Sequence, residues 1–153
     1  MRFTKIKLGR MGVEIGYEGK SDSGGWDKTT MIISDDATPE LKKTMDNLNS
    51  EMVELCELPK EEKARMTMQG VHFSYHGDDN QLAVVLSGNK KMKKSSGALI
   101  LNSPIRLERI SDKPNPKKDI SDTLANKITE LKTCAEEFLN GSRSQTKLKF
   151  DTE

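Results

Sequence analysis

Residues 65–87 read RMTMQGVHFSYHGDDNQLAVVLS, two apolar runs separated by Gly77-Asp78-Asp79-Asn80. In the first run Val71, Phe73 and Tyr75 fall on one side of a period-two pattern and His72, Ser74 and His76 on the other, as in a strand with one buried face. The second run is almost continuously apolar, which suits a central strand. The tetrad between them is turn chemistry, because glycine and asparagine tolerate positive φ and aspartate hydrogen-bonds its own backbone. This stretch predicts a β-hairpin at the middle of the chain, with Gly70 as a candidate bulge.

Working outward, the preceding segment carries Leu41, Met45, Leu48, Met52 and Leu55 at alternating spacings of four and three, behind a Thr38 N-cap with Pro39 and Glu40 in the first turn. One amphipathic helix ending near Leu58-Pro59 is expected. Towards the N-terminus, RFTKIKL (2–8) and MGVEIGYE (11–18) alternate as a strand pair joined at Gly9-Arg10. Gly12 and Gly16 are expected on the opposite face, where a helix, a ligand or another subunit can approach closely, with core packing as the preferred reason for them. After the loop GKSDSGG, WDKTTMIIS reads as a third strand. Beyond the hairpin, GALILNS and IRLERI give one or two strands interrupted by Pro104, and SDKPNPKKD is a connection. A second helix is expected over about 120–140, capped by Asp119 or Ser121 and stopped at Gly141, with Ile120, Leu124, Ile128, Leu131, Ala135 and Phe138 on its apolar face.

Together these segments predict an α+β fold, a mostly antiparallel sheet of five to seven strands with two amphipathic helices packed on one face. The chain of 153 residues has the length of one domain, expected over 1–141 with a polar tail over 142–153 that holds one apolar pair, Leu148 and Phe150. No internal repeat is visible in the sequence.

Composition narrows the function classes. A net charge of +1 excludes a globally basic nucleic-acid binder but not a local basic patch. No apolar run approaches a membrane span, and MRFTKIKLGR has no apolar leader core, so a cytoplasmic protein without membrane association is expected. Cys56 and Cys134 lack CxxC spacing and read as small core residues. His72 and His76 would lie about 13 Å apart on one strand, too far to chelate one metal. With two histidines, two cysteines and no motif for a nucleophile, metal or cofactor, the chain reads as a binding protein rather than an enzyme.

Three segments carry the candidate ligand contacts. Lys90, Lys91, Lys93 and Lys94, bounded by Gly88-Asn89 and Ser95-Ser96-Gly97, form a loop whose ammonium groups and amides suit phosphates, although the same lysines also suit a solvated hairpin tip. Arg106 and Arg109 add guanidinium groups able to hold phosphate bidentately; if IRLERI is a regular strand, Arg106 and Glu108 share a face and pair instead. Trp26, the single tryptophan, ends a Gly/Ser loop and is placed either to stack a base or to cap the core.

The succession Glu57-Leu58-Pro59, GVHFSY, a charged turn, an apolar strand and GALILNSP before a capped helix, over about residues 50–141, resembles small uncharacterised proteins of tailed bacteriophages and prophages. The resemblance implies a phage origin and, for a phage product, the host cytoplasm. The expected function is capture of a phosphate-bearing ligand such as a nucleotide immune signal by a homo-oligomer in counter-defence. Two alternatives stand beside it: a nucleic-acid-binding accessory protein of phage replication or recombination, and an inhibitor of a host protein.

Overall fold

The computed structural model describes residues 1–141. The tail 142–153, with Leu148 and Phe150, lies outside the described residues. The strands are β1 (Arg2–Gly9), β2 (Gly12–Lys20), β3 (Trp26–Ile33), β4 (Met66–His76), β5 (Gln81–Lys91), β6 (Ala98–Asn102) and β7 (Arg106–Leu107). The helices are α1 (Pro39–Asp46), α2 (Asn49–Leu55) and α3 (Asp122–Leu139), with a 3-10 turn over Lys60–Arg65. The fold is α+β, a seven-stranded sheet in the order β3-β2-β1-β4-β5-β6, with β7 also on β5. Every strand pair is antiparallel.

The β4–β5 hairpin forms with Phe73 opposite Val84 and His76 opposite Gln81, and its turn holds Gly77 and Asn80 at positive φ. The register slips between Met68 and Gly70, one residue from the expected bulge. Phe3, Ile6, Val13, Ile15, Val71, Phe73, Val84 and Leu86 make the sheet's buried face. Leu41, Met45, Leu48, Met52, Leu124, Ile128, Leu131, Ala135 and Phe138 close over it from the helices. All of these side chains are nearly inaccessible, so each contributes about 1.5–3 kcal/mol of apolar burial if large.

Two helices stand where the sequence predicts one. Asn47 N–H bonds back to Lys43 and Met45 carbonyls, and Leu48 N–H to Met45 O, so the last turn of α1 tightens and the axis breaks before α2 starts at Asn49. Asn47 and Asn49, both poor helix formers, bracket the break. The apolar spacing survives because Leu48 stays in the core at the corner. Thr38 Oγ1 accepts from Leu41 N–H at 3.2 Å and Ser121 Oγ from Leu124 N–H at 3.1 Å, so Ser121, not Asp119, caps the second predicted helix. Asp119 Oδ2 accepts from Asn115 N–H instead, closing the proline-rich connection.

Gly12 and Gly16 are accounted for within the chain. Gly12 has φ +127° and its missing Cβ would collide with the Ile33 carbonyl; one on Gly16 would meet Thr4 Oγ1 at 2.6 Å. Thr4 lies at the β1 bulge, where the register shifts between Phe3 and Lys5. These glycines therefore leave no vacancy for a second subunit.

The connection between β6 and β7 explains the proline. Ser103 N–H donates to Leu86 O, and Ser103 Oγ accepts from Leu86 N–H at 2.9 Å, so the hydroxyl takes the role of a ladder carbonyl where the edge strand bends at Pro104. The chain topology also repeats although the sequence does not. β1, β2 and β3 followed by α1 and α2 form one half, β4, β5 and β6 followed by α3 form the other, and the halves meet antiparallel at β1 and β4. Among the described residues no helix is long and apolar enough to cross a membrane.

Candidate functional site

The lysine segment is only partly a loop. Lys90 and Lys91 end β5, and Lys93 and Lys94 lie in the turn closed by Met92 N–H on Gly97 O. Alternation along β5 sends Lys90 to the helix-bearing face, where its ammonium lies 3.3 Å from Glu62 of the 3-10 turn. Lys93 reaches the same carboxylate at 3.9 Å. The Glu62 side chain is only 11% exposed, so two of the four lysines share one nearly buried counter-charge. Lys91 and Lys94 stay exposed, and Arg65 is tied to the Lys91 carbonyl at 3.4 Å.

Trp26 begins β3 and remains 39% exposed. One ring face is covered by the Arg2 guanidinium, 3.7 Å from the ring centre. Arg2 also lies 3.9 Å from the Tyr75 ring, donates to Glu18 Oε1 at 2.6 Å and to Asn80 Oδ1 at 3.2 Å. Tyr75 in turn donates to the Phe3 carbonyl at 2.7 Å, bridging β1 and β4 beyond the Lys5/His72 pair; burial pushes its phenol up. Trp26 starts the third strand as the sequence predicts, but its partner Arg2 is not predicted there.

Trp26 and the lysine segment do not meet. Trp26 lies on the edge strand β3 and Lys90 and Lys91 on β5, and four strand spacings make about 19 Å before any displacement along the strands is counted. The arginines also separate. Arg106 Nη1 donates to the Pro116 carbonyl at 3.1 Å while its buried Nε has no hydrogen-bond partner, so it anchors the proline-rich connection instead of pairing with Glu108. β7 stops at Leu107, and Glu108 N–H bonds to Leu82 O.

Arg109 lines a cavity of about 800 Å³ bounded by the 108–121 connection, Glu54, Leu82 and the first turns of α3. Its wall carries Glu54, Glu108, Asp119 and Asp122 against Arg109 and Lys132. Lys132 sits 5.0 Å from the Phe73 ring centre, and burial pulls its ammonium down. Carboxylates outnumber cations in this wall, which disfavours a phosphate there.

The helix-free face of the sheet carries cations that were not singled out in the sequence. Lys5, Lys7, Glu14, Gly16, Lys28, Thr30, Ile32 and His72 oppose one another across β1–β4, with Trp26 opposite Lys20 at the end of the same face. Lys5 pairs with Glu14, which holds that carboxyl below its usual range. Burial, then Lys5 and Lys7, pulls His72 down. Among the described residues Lys7, Lys20, Lys28 and Lys91 form no ion pair. For Lys5 and Lys7 the signal in the sequence is the polar half of the period-two pattern in KIKL.

Among the described residues no group of three His, Cys, Asp or Glu side chains is arranged to hold a metal ion. Cys56 and Cys134 are free and half-buried, and burial raises both thiols. No family model matches the chain, and no match to it is found among curated proteins or solved structures.

Proposed function

We propose that this protein is a non-enzymatic binder of single-stranded nucleic acid, held across the helix-free face of the sheet. The observation that supports this reading is the dispersal of its ligand-compatible groups. Lys20 and Lys28 stand beside the Trp26 ring on β2 and β3, Lys7 lies in the middle of that face on β1, and Lys91 lies towards the other margin on β5. A pocket for one nucleotide at Trp26 would use the neighbouring Lys20 and Lys28 and leave Lys7 and Lys91 without a role. A polymer needs its cations spaced along a track. The acid-lined cavity beside α3 gives a mononucleotide no better site. Trp26, with one face against Arg2, offers its other face to a base.

Trp26 is the single tryptophan, so its own emission reports on the site. Titration with a short oligothymidylate should quench it, with log affinity falling against log salt by roughly 0.7 for each phosphate contact. Replacing Lys7 and Lys28 by serine should flatten that slope by roughly 1.4 if each touches one phosphate. Trp26→Ala should cost about 1–3 kcal/mol of binding, measured by anisotropy. Tight one-to-one capture of a mononucleotide with a shallow salt slope would overturn the polymer reading and return the protein to the nucleotide-signal class. Failure to bind either ligand would refute both.

A further inference from the structure

Among the described residues β6 is the outermost strand on its side of the sheet; it reads Ala98-Leu99-Ile100-Leu101-Asn102 and contains no charged residue. Leu99 is 46% exposed and Ile100 75%. Such an edge presents free backbone donors and acceptors beside apolar side chains, and single-chain proteins ordinarily blunt it with lysine, proline or an inward charge. The opposite edge has that protection, since β3 carries Asp27 and Lys28 within it. In β6 the lysines stop short of the strand, at Lys94, and Pro104 falls beyond its end.

We propose that β6 is the isologous contact of a homodimer, in which two copies pair antiparallel about a two-fold axis at Ile100 and continue one sheet. Pairing in that register opposes Ile100 to its own copy, Leu99 to Leu101 and Ala98 to Asn102. No opposed pair carries charge. The faces also agree. Leu99 and Leu101 lie opposite Lys90 and Gly88 on the helix-bearing side, whereas Ala98, Ile100 and Asn102 project to the other, so the helices of both copies remain on one side. Residues opposed in an antiparallel pair share a face, and the two-fold operation preserves it.

The charges argue for this edge over the broad face. Bringing two helix-free faces together would bury Lys7, Lys20 and Lys28 of both copies in one contact, whereas the β6 edge brings no charge against charge. They also favour a second copy over a foreign strand, because β6 offers no charged residue by which an unrelated sequence would be selected and held in register. Five residues per copy make a small contact, so the association is reversible and depends on concentration. The contact is independent of nucleic-acid binding. It would nevertheless join the helix-free faces of both copies into one surface.

Sedimentation velocity of the full chain, without nucleic acid, should show the mass moving from 17.1 kDa towards twice that value as concentration rises from micromolar to millimolar. Ile100→Lys opposes two ammonium groups at the axis and should weaken association by about tenfold or more. The far-UV circular dichroism and melting temperature of that variant in dilute solution should match the parent, since the side chain is exposed. Ile32→Lys, at the other edge and 62% exposed, should associate like the parent. A parent that stays monomeric throughout, an Ile100→Lys variant that associates normally, or loss of association in Ile32→Lys would each overturn the proposal. Oligothymidylate binding, measured separately on the dilute monomer, tests the functional reading alone.

Discussion

Ser103→Ala removes the acceptor that closes the backbone of β5 at its centre. Leu86 is 1% exposed, and its N–H points to Ser103 Oγ at 2.9 Å because the edge strand bends away at Pro104. Ser103 is itself 6% exposed, so water does not readily replace the lost hydroxyl. A buried donor left without a partner costs about 1–3 kcal/mol. The methyl group of alanine fits where the serine Cβ stood, so no cavity term beyond one oxygen is added. For a chain of this length each kcal/mol lowers the melting temperature by about 2–4 °C. Urea unfolding should show a lower midpoint with an unchanged slope. Ser74→Ala is the control. Its hydroxyl meets the His76 ring at 2.8 Å on an exposed surface, and its loss should stay within about 0.5 kcal/mol. A Ser103→Ala protein as stable as the Ser74→Ala control would refute the claim that this hydroxyl seals the ladder.

Leu131→Asp, in a side chain with no exposure, should prevent folding by placing a carboxylate in the core, seen as loss of the cooperative melt. Glu62→Gln should leave the Lys90 ammonium on the helix-bearing face without its counter-charge and lower the melting temperature, while oligothymidylate binding to the opposite face stays unchanged in anisotropy titrations. Acidification should destabilise the fold in two stages. His72 and Glu14 both have lowered folded values, so each contributes stability that is full above its unfolded value and lost as pH falls through its window, beginning near 6.5 for His72 and near 4.5 for Glu14. In chemical denaturation across pH, His72→Gln should abolish the first stage and keep the second.

Period and punctuation made the local structure legible. The β4–β5 hairpin, the Thr38 and Ser121 caps and the Pro104 interruption all follow from side-chain chemistry within a few residues. The helix break at Asn47-Leu48 was hidden because Leu48 keeps the apolar spacing while the axis changes direction. The candidate site was less legible, since it depends on which strands become neighbours. Trp26 and the lysines look like two parts of one site in linear order, but the strand order puts Trp26 four strand spacings from Lys90 and Lys91. Glu62, near in neither sequence nor pattern, then takes up two of the lysines. Arg2 behaves likewise: nothing near it in sequence announces Trp26, Tyr75 and Glu18 as its partners.

The seam between the two halves of the sheet has a kinetic consequence. Only Lys5/His72, Ile6/Val71 and Lys7/Gly70 pair across β1 and β4, and a Cβ on Gly70 would press within 2.8 Å of the Ile6 carbonyl. Every other strand contact joins near neighbours in the chain, so those hairpins close early, while this seam waits for the intervening segment to be ordered. Closing the seam is therefore the slow, high-contact-order event of folding. Its amides at Ile6 and Val71 should exchange with deuterium only through opening of the whole domain, whereas the outer strands β3 and β6 exchange through smaller excursions.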